Sequence, residues 1–400
     1  MLGKQSLERY ADVLLWGMRT ARKERFQKGD VILVRYQRAA APLAERVQAR
    51  LLDRGYNPVM RMGLTPVMER NFYERSNNKQ LVFIPPGTTE LYESLNGSIF
   101  LHAPDSLTHL RGVDPKRIGK TAVAVKYLRD ILNRREEQGA FGWTLCMFPT
   151  PELARQAGLT EKQYESQVIR ACYLNTPDPV KEWKTIFRKA VAIKDWLNGM
   201  NVDRFHVESD RTDLWVTPGE RRRWLGVSGH NIPSFEIFLS PDWRGTEGVY
   251  FADQASFRSG NYVEGVRLRF NKGRAVEVDA RKGAEFTRNQ TRMDPGACRV
   301  GEFSLTDKRF SRINRFMANT LYDENYGGKH GNCHIALGAS YSDTYDGDAA
   351  ELTRERKDQL GFNDSALHWD LVSTEDKRVT AFLHSGERVV IYEGGRFLGP

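Results

Sequence analysis

A chain of 400 residues exceeds what one hydrophobic core usually organises, so two domains are expected, and 40% hydrophobic with 28% charged residues is the balance of a globular protein in water. No apolar run reaches the length of a membrane-spanning helix, and charges interrupt the opening MLGKQSLERYADVLLWGM, so neither a span nor a secretory signal is supported and a cytoplasmic location is expected. The net charge of +9 is uneven: residues 1–180 hold 27 Lys and Arg against 19 Asp and Glu, and the rest hold 33 against 32. A basic first half suits an anionic partner or simple solubility, and the absence of interleaved aromatic and glycine recognition motifs argues against nucleic acid.

Leu7, Tyr10, Ala11, Leu14, Leu15 and Met18 recur at three- and four-residue steps and predict an amphipathic helix. VILVRY (31–36) predicts a buried strand, and PLAERVQARLLDRG (42–55) a second helix that Gly55 can end. Further strands are expected at Leu81–Ile84, Ser98–His102 and Trp143–Phe148, with a helix from about Thr121 to Glu137 between the last two. This alternation predicts βαβ units and a largely parallel sheet. After TPDP (176–179) one helix, 181–200, leads into short alternating runs typical of antiparallel strands. VYFADQ, GVRLRF and AVEVDA continue them, a helix is expected at Arg309–Tyr322, and VTAFLH and RVVIYEG flank a Ser-Gly turn as a closing hairpin. The expected organisation is an α/β N-terminal domain with a largely parallel sheet (1–178) and an α+β C-terminal domain rich in antiparallel strands (179–400) that carries any site.

Two motifs fail on inspection. GKT at 119–121 lacks the phosphate-loop glycine, since position 114 is Asp. The cysteines Cys146, Cys172, Cys298 and Cys333 are scattered, without a CxxC pair, and read as free thiols.

Acids in apolar surroundings are more informative. Glu236 stands between Phe235 and Ile237, and Glu302 between Gly301 and Phe303. A buried ionised carboxylate needs a partner, although for one Glu in a strand a solvent-facing position is the simpler reading. LYDENYGGKHGNCHIALGASY adds Asp323, Glu324, His330, His334 and Tyr341, and SALHWDLV adds His368 and Asp370, which as i and i+2 share one side of a strand. His334 and Tyr341 would share a face only in a helix, which Gly338 weakens. Glu236, Glu302, Glu324, His334, His368 and Asp370 together give four carboxylates and two imidazoles, without thiolate. That set suits zinc, cobalt or manganese, exceeds the three protein ligands of one catalytic zinc, and balances two divalent cations.

At WTLCMFPTPELARQAGLT, NIPSFEIFLSP, VGEFSL, LYDEN, NCHIALGASY and HWD, in that order, the chain resembles the metallo-aminopeptidases of the aminopeptidase T and aminopeptidase S type, essentially end to end. The resemblance implies a two-domain homodimer that acts on peptides with a free N-terminus. It also implies two divalent metal ions per subunit held by Glu236, Glu302, Glu324, His334, His368 and Asp370, and a catalytic or site-lining role for Tyr341. Glu302 or Glu236 would then relay the proton to the departing amine. One departure stands out: Glu324 and His334 are ten residues apart where the family usually keeps about five. Rival expectations are a dinuclear hydrolase of another substrate class, a Cys333 hydrolase, and a non-enzymatic protein that binds through its basic first domain.

Overall fold

The structure, a computed structural model, describes residues 2–258, 261–348 and 351–400. It divides into two compact units, Met1–Trp183 with Ser228–Pro233, and Lys184–Val227 with Ser234–Pro400. Among the described residues no helix is long and apolar enough to cross a membrane.

In the first unit the apolar stripe at the N-terminus forms helix Lys4–Thr20, which buries Leu7, Tyr10, Ala11, Leu14, Leu15 and Met18. Each fully buried Leu contributes about 1.5–3 kcal/mol. The wholly buried Tyr10 satisfies its hydroxyl by donating to the Met147 carbonyl at 2.9 Å. Strands Asn57–Met62, Val31–Tyr36, Leu95–His102, Gly142–Met147 and Asn231–Ile232 lie side by side in that order, every pairing parallel. Ile32, Leu33 and Val34 are all buried, which is why this strand reads as an unbroken apolar run instead of an alternating one. Strand Asn57–Met62 has no counterpart in the sequence reading. It is an edge strand with no fully buried residue, where Pro58 is tolerated and the apolar signal is weak.

The expected strand at Leu81–Ile84 does not form. Asn78–Leu81 is one helical turn, closed by a reciprocal capping box in which Asn77 Oδ1 accepts from the Gln80 N–H at 3.0 Å and Gln80 Oε1 accepts from the Asn77 N–H at 2.8 Å. Only Leu81 is buried; Val82 and Phe83 are exposed, and Pro85 and Pro86 deny the segment ladder donors.

His102 ends its strand mostly buried, with Nδ1 unpartnered, and burial pushes its imidazolium down to about 4. Because the folded value lies below the ordinary 6.5, the native form is neutral, and its stabilisation is complete above pH 6.5 and lost as pH falls toward 4. Between pH 7 and 5 the wild type should therefore lose about 2 kcal/mol more than His102→Gln, read from urea midpoints. Parallel pH profiles would remove His102 as the cause.

The second unit is antiparallel, as its alternating runs predict. A nine-stranded sheet includes Val202–Glu208, Asp213–Thr217, Asp242–Ala252 and Asn261–Asn271, together with the predicted closing hairpin, Arg378–Leu383 with Arg388–Glu393. Gly386 turns that hairpin at φ 89°. A second sheet orders His368–Ser373, Asn332–Gly338, Val300–Thr306, Glu236–Leu239 and Leu225–Gly226, and its two middle strands, Asn332–Gly338 and Val300–Thr306, are buried at every position.

The helix expected at Arg309–Tyr322 is reduced to the turn Thr320–Asp323. The buried carboxylate of Asp323 takes two backbone donors that a helix would pair internally, the N–H of Met317 at 2.7 Å and of Asn319 at 2.9 Å. At the start of the segment buried Asp307 accepts from the N–H of Arg309 at 2.8 Å and ties it to the distant Phe397, whose N–H it accepts at 3.0 Å. Periodicity cannot register this competition, because the capturing groups come from outside the apolar stripe.

Candidate metal centre

In an antiparallel ladder directly opposed residues share a face, and steps of two along a strand keep it. Glu236 opposes Thr306, Ser304 opposes both Phe238 and His334, Glu302 opposes Ala336, Ala336 opposes Asp370, and Gly338 opposes His368. Glu236, Glu302, His334, His368 and Asp370 therefore stand on one face of the smaller sheet. The small side chains of Ser304 and Ala336, and Gly338, leave room among them.

The side chains converge as this register requires. His334 Nε2 lies 3.1 Å from Glu302 Oε1 and 3.5 Å from Glu236 Oε2, while His368 Nε2 lies 3.7 Å from Glu302 Oε2 and 3.5 Å from Asp370 Oδ1. Two groups result whose ligand atoms all fall within 4.8 Å of one another, Glu236–Glu302–His334 and Glu302–His368–Asp370. Glu302 belongs to both and turns one oxygen to each imidazole.

Glu324 comes from elsewhere, at the end of the turn Thr320–Asp323. It is buried, and its carboxyl feels the charges of Glu236, Asp370 and Glu302. The long segment after it is tied down: the N–H groups of Gly327 and Gly328 donate to the Ile313 carbonyl at 2.8 and 3.0 Å. Asn332 Nδ2 then closes the loop onto the carbonyls of Glu324 at 2.9 Å and Tyr326 at 2.7 Å.

Asn325, which the sequence reading passed over within LYDEN, joins the two approaches. Fully buried, it accepts from the N–H groups of Phe235 at 2.5 Å and Glu236 at 3.1 Å, and donates to the Leu321 carbonyl at 2.9 Å and to Glu324 Oε1 at 3.4 Å. Asn325→Ala leaves two buried donors unpaired and should cost about 2–4 kcal/mol, measured by denaturant unfolding of the metal-free chain. A loss below about 0.5 kcal/mol would show that solvent or a neighbour replaces the amide.

The electrostatics are those of acids crowded out of water. Burial, and then the charge of Glu302, push Glu236 up to about 8, while burial and the charges of Glu236 and Asp370 push Glu324 well above the carboxylate range. Burial opposes the charge on each imidazole, yet Glu302 holds His334 up at about 8 and Asp370 holds His368 up at about 9. Asp370, against its own burial, is held at about 2 by His368. Protons on imidazoles and carboxyls thus relieve the repulsion, and hard divalent cations would relieve it in the same places. The donor set, oxygen and imidazole nitrogen without thiolate, fits zinc, cobalt or manganese.

The other residues sort clearly. Tyr341 follows the strand that carries His334, with its ring centroid 4.8 Å from that of His368 and 5.8 Å from that of Phe238, both edge-on, and it is 45% exposed, so a ligand can reach it. Burial, then the charges of Glu302, Asp370, Glu324 and Glu236, keep its hydroxyl protonated well above the ordinary phenol value. His334 and Tyr341 share no helix: Asn332–Gly338 is a strand that ends at Gly338, φ 106°, where a Cβ would meet the Leu367 carbonyl. His330 pairs with Asp376 at 3.1 Å, and Asp323 is spent on backbone donors. Cys333 points to the opposite face from His334, and burial pushes its thiol up to about 12, which makes it a poor nucleophile. The four cysteines are free and buried.

Carboxylates and imidazoles gathered on one sheet face, with an accessible protonated tyrosine beside them, are the donor set that a metal-dependent hydrolase needs. Residues 3–397 match the thermophilic metalloprotease family M29, and the chain belongs to that family. It is 27% identical over 399 residues to "Aminopeptidase 2" of Geobacillus stearothermophilus, covering 93% of this chain and 94% of that one. It is 31% identical over 309 residues to "Aminopeptidase T" of Thermus aquaticus, covering 72% and 73%. The solved structure "Wild-type AmpT from Thermus thermophilus" has the same fold, with a TM-score of 0.79 over 99% of both chains at 24% identity.

Proposed function

We propose that this metalloprotease is an aminopeptidase that releases N-terminal amino acids from peptides at a dinuclear centre. Residues 179–400 form its catalytic domain and residues 1–178 the α/β domain, and the active species is a homodimer. The observation that carries the reading is the sharing of Glu302 between two ligand triplets. One ion would be held by Glu236, Glu302 and His334, the other by Glu302, His368 and Asp370, and Glu324 would complete the shell. Bound as a pair, zinc, cobalt or manganese ions supply Lewis acidity toward the scissile carbonyl and bring the pKa of a water to about 7.

The protein's own groups supply the rest. Glu302, with one oxygen turned toward each imidazole, would serve both ions. Glu302 or Glu236 would relay the proton of the attacking water to the departing amine. Tyr341 donates a hydrogen bond to the carbonyl oxygen as negative charge develops there. Substrates are peptides with a free N-terminus.

The test is release of leucine from a leucyl peptide and from its N-acetylated twin, by chelator-stripped protein to which zinc, cobalt or manganese has been restored. Metal-dependent release from the free-amine peptide alone is expected. Cleavage of neither, across a panel of N-terminal residues, would point to a dinuclear hydrolase of another substrate class or to a binding role.

A further inference from the structure

The two imidazoles of the centre differ in what holds their second nitrogen. His368 Nδ1 lies 3.0 Å from the Ala339 carbonyl, so Nδ1–H donates there and Nε2 faces Glu302 and Asp370. A metal-binding imidazole almost always has such an outer partner. His334 is completely buried with Nε2 toward Glu302 and Glu236, yet among the described residues its Nδ1 has no hydrogen-bond partner.

A second orphan stands opposite. The hydroxyl of Ser304 is also completely buried and, among the described residues, without a hydrogen-bond partner, and the ladder pairs Ser304 directly with His334 on the face that carries the acids. Directly opposed Cβ atoms lie about 4.5–5.5 Å apart. The two atoms do not bond each other directly as placed, but with a hydroxyl one bond from its Cβ and a ring nitrogen two bonds from its own, one side-chain rotation or one bridging water would join them. On their outer sides both residues meet apolar neighbours: Phe238 opposes Ser304, and Val372 opposes His334. Across the ladder, each is the other's polar neighbour.

We propose that Ser304 is the positioning residue of His334: its hydroxyl accepts the Nδ1–H, directly or through one buried water, and holds Nε2 toward Glu302 and Glu236 as a metal ligand. The inference rests on the metal reading above. It explains why a hydroxyl occupies a fully buried strand position flanked by apolar residues, where alanine would otherwise serve.

The experiment titrates zinc into full-length, chelator-stripped protein against a chromophoric chelator, for the wild type, Ser304→Ala and Ser304→Thr. Ser304→Ala should bind one of two zinc equivalents about 10–100-fold more weakly, with the metal-free melting temperature unchanged, and Ser304→Thr should restore the affinity. Wild-type zinc affinity in Ser304→Ala overturns the proposal, and so does a lowered metal-free melting temperature with zinc affinity intact, which marks a packing role. A measurement that needs no Ser304 variant is the nitrogen-15 histidine spectrum of the zinc-loaded wild type, with His334 assigned by its loss in His334→Gln. A His334 Nδ1–H protected from solvent exchange is expected, and exchange at the rate of a free imidazole overturns the proposal. A wild type that binds no zinc overturns the dinuclear reading as well, which separates the two failures.

Discussion

Glu302→Gln should abolish activity and empty both metal positions together, because Glu302 is the one side chain common to the two ligand triplets. The amide keeps the shape but loses the negative charge and one of two acceptor oxygens, so His334 is left with Glu236 and His368 with Asp370 as their only carboxylate neighbours in the two triplets. The expected activity loss exceeds the about 10³-fold that removal of a single transition-state donor costs. Metal analysis after dialysis decides the matter: near-zero zinc supports the bridge, one retained ion would assign Glu302 to a single position, and full occupancy would remove it from the ligand set. Glu236→Gln provides the contrast, since Glu236 belongs to one triplet and its variant should lose the first ion only.

Tyr341→Phe should lower kcat by about 10²- to 10³-fold while metal content and KM stay near wild type. The argument is geometric and electrostatic together. The ring packs against that of His368, the residue is 45% exposed and so open to a substrate, and neighbouring acids keep its hydroxyl protonated. A donor that strengthens only as charge develops on the carbonyl oxygen affects the chemical step more than ground-state binding. An unchanged kcat would take Tyr341 out of the mechanism, and a raised KM at constant kcat would make it a binding residue.

Parts of the molecule were legible from local pattern alone. The first helix, strand Val31–Tyr36 and the closing hairpin follow from periodicity and turn chemistry, because in each the signal lies within a dozen or so residues. The two misread elements fail for a common reason. At Leu81–Ile84 a side-chain cap closes a helical turn, and at Arg309–Tyr322 the carboxylate of Asp323 takes two backbone donors. Each is a side-chain interaction that overrides apolar spacing. The edge strand Asn57–Met62 was missed because a strand with half-covered faces carries little apolar signal.

The candidate site divides along the same line. Residue type and an uncomfortable setting single out Glu236, Glu302, Glu324, His334, His368 and Asp370, since a charge among apolar neighbours in sequence demands a partner in space. That demand is a property of composition and short-range order, so the sequence determines it by itself. It does not say which partner. The register of four antiparallel strands decides that Glu302 stands between two imidazoles and that Ser304 faces His334, and a loop amide, Asn325, ties Glu236 to Glu324. A shift of one residue in any of these ladders would turn that strand's contribution to the opposite face. Only the packed sheet, through the burial that pins its register, could settle which of the demanding residues meet.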